Sequence, residues 1–74
     1  MLEEGSYVCL LEAPNTRKGT LHQQANHEGI VQFVFRQDPR FGDRLPDVFI
    51  NEAEVQECQR PSETEVAKIN ALLP

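Results

Sequence analysis

The chain has 74 residues, seven basic against twelve acidic, and a net charge of −5. That size is one domain, near the lower limit of what folds alone. The acidic balance argues against a nucleic-acid binder, which neutralises phosphates with Lys and Arg, and against an anionic membrane surface. No apolar run approaches the roughly 18 residues of a membrane span. The start, MLEEGSYV, is acidic and lacks the basic-then-apolar order of a secretory signal, so the expected setting is cytoplasmic. Cys9 and Cys58 are too few for a disulfide framework and are expected reduced there.

Residues 6 to 11, Ser-Tyr-Val-Cys-Leu-Leu, predict a first strand that is apolar on both faces and ended by Ala13-Pro14-Asn15. Residues 15 to 29 are polar, with Gly19 and Gly29, and hold at most a short edge strand at Thr20–Gln23. The β-branched and aromatic run Ile30-Val31-Gln32-Phe33-Val34-Phe35 predicts the central strand. Asp38-Pro39 and Phe41-Gly42-Asp43 are turn chemistry, which makes 36 to 47 a loop. Val48–Ile50 predicts the next strand.

Asn51, with Glu54 three residues on, has the spacing of a capping box. Only Ala53 and Val55 could anchor a full helix there before Cys58, too few to hold one. A single helical turn at Asn51–Glu54, followed by a short strand at Val55–Cys58, is the expectation. Ser62 and Glu65 form a second capping box after Pro61, and Val66, Ile69, Leu72 and Leu73 share one face of an amphipathic helix over 62–73.

Over residues 5 to 58 the order of elements resembles small SH3-like barrels: a long first loop, a central strand, a second loop, a strand, one helical turn and a closing strand. The resemblance carries no function. The expected fold is therefore mainly β, a single domain over 1–74: a small SH3-like barrel or strongly bent antiparallel sheet over 5–58, with one C-terminal α-helix over 62–73. Val8, Leu10, Ile30, Phe33, Val34, Val48 and Ile50 are the expected core.

Chemistry-bearing motifs are absent: no GxSxG, HExxH or phosphate loop. Two Cys and two His suggest zinc, but no cysteine belongs to a CxxC knuckle, and His22 and His27 lie in a polar stretch. Glu3, Glu4 and Glu12 near Cys9, and Glu57 beside Cys58, oppose thiolate formation. The expectation is no enzyme, no metal and no cofactor.

Arg36, Arg40 and Arg44 surround Phe41 in the 36–47 loop. One reading is an interaction loop with Phe41 at its tip, since aromatic and Arg residues are enriched in binding hot spots. The other is a solvated loop with local ion pairs and Phe41 folded back. Glu52, Glu54, Glu57, Glu63 and Glu65 read as a solvated acidic face, or more sharply as a patch for a basic partner. A non-catalytic interaction module follows, an accessory or regulatory protein that binds another protein of unknown identity. Its candidate surface is Arg36, Arg40, Phe41, Arg44, Val66, Ile69 and Leu73. A homodimer through the C-terminal helix is one form of that expectation. A nucleic-acid-binding barrel and a small metal or redox protein are the alternatives.

Overall fold

A computed structural model describes residues 1–73. It shows a mainly β chain of five antiparallel strands with one C-terminal helix. The strands are β1 (Tyr7–Leu10), β2 (Lys18–Ala25), β3 (Val31–Gln37), β4 (Val48–Ile50) and β5 (Val55–Glu57), and the helix is α1 (Glu63–Asn70). They form one sheet in the order β4-β3-β2-β1-β5, curled into a half-barrel. A single 3-10 turn, Glu52–Glu54, joins β4 to β5 where the Asn51–Glu54 capping spacing placed it. Asn51 N–H donates to Glu54 Oε1 at 2.9 Å, and the turn ends where Val55 returns to extended backbone.

The register explains the curl. Val8 faces Gly19, Leu21 faces Phe35, Phe33 faces Ile50, and Leu10 faces Val55, so one face of all five strands turns inward. Val8, Leu21, Phe35, Ile50 and Val55 form the core, with Leu2, Leu10 and Phe33 packed against it. Gly19 is buried where β2 passes closest to β3. A Cβ there would run into the Arg36 carbonyl, so only glycine allows the strands to approach this closely.

Two expectations for the sheet need correction. The polar segment around Thr20–Gln23 is not a short edge strand. It lies within β2, the longest strand, which pairs with β3 over seven residues and also carries β1. Ile30 and Val48 are not core: they are 58% and 42% exposed. Ile30 sits at the turn of the β2–β3 hairpin, whose end (Ala25 with Val31, Gln24 with Gln32) runs beyond the last residues that β1 and β4 cover. That projection contributes to the 40 Å long axis against 24 and 19 Å across. Val48 lies in a three-residue edge strand with nothing paired outside it among the described residues.

The helix is shorter than 62–73. Ser62 accepts from Glu65 N–H at 3.1 Å and starts it where the sequence placed the cap. It gives way after Asn70 to tighter bonds, Leu72 N–H to the Ile69 carbonyl and Leu73 N–H to the Asn70 carbonyl. Leu73 precedes Pro74, and a residue before proline is pushed out of the helical region. Leu72, expected on the packed face, is 84% exposed.

Cys9 and Cys58 are joined in a disulfide. This corrects the expectation of two reduced thiols. Their neighbourhood was foreseeable, because β1 and β5 pair directly, with Cys9 opposite Gln56 and Cys58 N–H donating to the Tyr7 carbonyl. The bond closes a separation of 49 residues.

Candidate functional site

The 36–47 segment, whose first two residues belong to β3, carries four of the residues expected at a partner surface; it buries Gln37, Asp38 and Phe41 and leaves Arg36 and Arg44 exposed. Phe41 is 1% exposed, so it is folded back and is not the tip of an interaction loop. Asp38, 3% exposed, receives Arg40 through Nη2 at 2.8 Å and the Tyr7 hydroxyl at 2.8 Å. The Arg40 guanidinium holds the Asp38 carboxyl well below the usual carboxylate range, against the opposing effect of burial. Burial, and then the bond to Asp38, push the Tyr7 hydroxyl above its ordinary value. Arg40 also donates to the Pro61 carbonyl and to Glu63, each at 2.9 Å. Asn70 completes the attachment of α1: its amide donates to the Arg40 carbonyl at 2.9 Å and accepts from Gly42 N–H at 3.1 Å.

The far side of the loop is fixed the same way. Asp43 accepts from Thr16 Oγ1 and from Arg17 Nη1, both at 2.9 Å, while buried Gln37 bridges Arg17 and Asp43. Burial opposes ionisation of Asp43, but the bonds from Thr16 and Arg17 outweigh it and lower its pKa. Of the remaining candidates, Arg36 pairs with Asp47 at 3.1 Å and Arg44 is exposed. Val66 is buried in its own chain, and Ile69 and Leu73 are half-buried. The structure thus gathers Arg40, Phe41 and the helix into an internal junction and leaves Arg36 and Arg44 outside it.

Neither His belongs to a metal-ligand constellation. His22 Nδ1 lies 2.6 Å from Glu4 and its Nε2 2.9 Å from Thr20, whereas His27 is exposed. Glu4 sits below its ordinary pKa, chiefly because it also accepts the Gln23 backbone N–H. Both cysteine sulfurs are committed to each other, and no group of three or more His, Cys, Asp or Glu converges among the described residues.

A cleft of about 330 Å³ opens at the root of the first loop. Leu10, Leu11, Glu12 and Ala13 form one wall as β1 ends, and Ala53 and Glu54 of the 3-10 turn form the other. Leu11 N–H donates to the Glu54 carbonyl at 3.0 Å and ties the walls together. The lining is Leu and Ala with two carboxylates, and contains no nucleophile, imidazole or basic group. Its size is at the low end for a ligand pocket, enough for one or two side chains. Such a surface suits an apolar side chain next to a cation.

Sequence reasoning missed this cleft because Leu11 and Ala53 lie 42 residues apart on segments read only as strand end and turn. The one signal available was the SH3-like order, which brings the first loop back against the helical turn. No family model, curated protein or solved structure matches the chain.

Proposed function

We propose that the chain is a non-catalytic interaction module, an accessory or regulatory protein that binds another protein, and that the cleft between Leu10–Ala13 and Ala53–Glu54 is where it does so. The observation that carries this reading is the pairing of Leu10, Leu11, Ala13 and Ala53 with Glu12 and Glu54 in one cleft. The partner is a segment with Lys or Arg next to an apolar side chain, since complementary charge steers the encounter and the apolar contact holds it. A net charge of −5 works in the same direction at longer range. The same carboxylates repel phosphate, which disfavours nucleic acid. No helix among the described residues is long and apolar enough to cross a membrane. The setting we favour is the cytoplasm, where a disulfide such as Cys9–Cys58 is transient and not permanent.

The test is fluorescence anisotropy with short labelled peptides. Peptides with Lys or Arg beside Leu or Phe should bind, and their Glu counterparts should not. Glu12→Lys should weaken the basic peptides and Leu11→Ser should weaken both the basic and the apolar part of the contact. Equal binding of acidic and basic peptides, or no response to either substitution, would refute the cleft as the binding site.

A further inference from the structure

The disulfide lies on the outer face of the sheet, away from the core cluster. Cys9 is in the middle of β1, and Cys58 follows directly on β5, so the bond runs diagonally across the β1–β5 edge. Both residues are partly exposed, which gives a small thiolate access. The two sulfurs are not equivalent. Lys18, directly opposite Cys9 on β2, brings its ammonium within 3.4 Å of Cys9 Sγ. Cys58 has Glu57 and Gln59 as its chain neighbours, and Arg60, two residues on, is held 5.8 Å from the Tyr7 ring centroid. A sulfur beside a cation is the better leaving group, because its thiolate is stabilised as it forms.

We propose that Cys9–Cys58 is a reversible thiol-exchange site, opened by attack of a dithiol on Cys58 with Cys9 leaving, and that its state controls how well the cleft is ordered. In the first step a thiolate of the dithiol bonds to Cys58 Sγ and the Cys9–Cys58 bond breaks. Its electron pair stays on Cys9 as a thiolate facing Lys18. In the second step the other thiolate of the dithiol attacks its own sulfur in the mixed disulfide and releases Cys58 as a thiolate. The dithiol becomes a cyclic disulfide, two electrons pass to the protein, and water protonates the two thiolates as their pKa values dictate. Lys18 is a positioning residue here, acting on the leaving group alone.

The consequence follows from how β5 is held at its two ends, apart from Val55 in the core. It is three residues long, lies at the sheet edge and pairs only with β1. One end is fixed at the 3-10 turn through the Leu11–Glu54 bond, and the other by the disulfide and the Cys58–Tyr7 bond. Opening the disulfide lets this short edge strand, whose one buried residue is Val55, fray, and with it the turn that supplies Ala53 and Glu54 to the cleft. The β2–β3 ladder, with its seven pairs, does not depend on that bond. This second half of the proposal rests on the cleft being the binding site.

Two measurements test it on the full chain. The first is the rate of thiol release by dithiothreitol. Lys18→Met should slow it several-fold and Lys18→Arg should restore it. An unchanged rate in Lys18→Met overturns the assigned leaving group. The second is amide hydrogen exchange by NMR in the oxidised and reduced protein. The Leu11 and Cys58 amides should exchange about tenfold faster or more after reduction, while Asp38 N–H, bonded to the Lys18 carbonyl on the β2–β3 ladder, should change little. Uniform acceleration at all three amides, or none, overturns the local control. Peptide titration separates the two proposals. An oxidised protein that binds no basic peptide defeats the cleft and leaves the exchange result standing. A reduced protein that binds as tightly as the oxidised one defeats the redox control.

Discussion

Arg40 Nη2 lies 2.8 Å from Asp38 Oδ2, and the same guanidinium reaches Glu63 and the Pro61 carbonyl. One side chain thus joins the end of β3 to the start of α1. Arg40→Gln should release the helix from the loop and leave the Asp38 charge buried with only Tyr7 and backbone donors. The expected result is a lower melting temperature and a loss of helical circular dichroism before the sheet signal changes. Coincident loss of both signals would mean that the junction is part of one cooperative unit.

Asp38 and Asp43 both sit below the ordinary carboxylate range in the folded chain. A depressed folded pKa stabilises the fold at pH above the unfolded value, about 3.9 for Asp, and that contribution is lost as pH falls through the folded value. Stability should therefore hold near neutrality and decline below about pH 4. Thermal melting across that range should show the decline, and Asp38→Asn with Asp43→Asn should be less stable at neutral pH and flatter in acid.

Phe41 is shielded as completely as any core side chain. Phe41→Ala should cost about 3–5 kcal/mol by chemical denaturation, close to the whole stability of so small a domain. Phe41→Leu should cost appreciably less. A Phe41→Ala protein with an unaltered denaturation midpoint would contradict its burial.

Gly19→Ala should be more disruptive than its one added methyl suggests. The obstacle is the Arg36 carbonyl and the Gln37 Cα, which are backbone and cannot rotate away. The expected outcome is an unfolded or aggregated product, or a folded one with shifted NMR signals along Thr20 and Arg36. A native-like spectrum with native stability would show that β2 and β3 separate easily at that point.

The disulfide closes a loop of about 50 residues, which in the chain-entropy account stabilises the fold by about 4 kcal/mol. Cys9→Ser with Cys58→Ser should lower the denaturation midpoint accordingly, without changing the core register. A double variant as stable as the oxidised protein would mean that the unfolded chain is not appreciably restrained by the bond.

Much of the architecture was legible because local chemistry and tertiary demand agree in it. Asn51 with Glu54 and Ser62 with Glu65 cap where their spacing says, and Val48–Ile50 is a strand to the residue. The failures fall where partners distant in sequence decide. Thr20–Gln23 looks too polar for a central strand, yet only Leu21 of those residues faces the core; Thr20 pairs on both edges, and His22 and Gln23 pair with β3. Phe41 sits among turn residues and charges, and its neighbours Arg40 and Gly42 are tied to Asn70 of a helix that begins more than twenty residues later. The disulfide was argued from compartment, whereas the β1–β5 register decides it.

The sheet order also fixes when the protein can fold. β1 lies between β2, which follows it directly, and β5, which begins at Val55. A chain leaving the ribosome can form the β1–β2–β3 meander early, but the outer edge of β1 stays open until the last quarter of the sequence has emerged. Through that interval Leu10 and the core it borders lack the cover that Val55 supplies, and Cys9 has no partner. Nascent chains stalled before Val55 should therefore be the most protease-sensitive and aggregation-prone form of this protein, and the Cys9–Cys58 bond can form only after translation has passed residue 58.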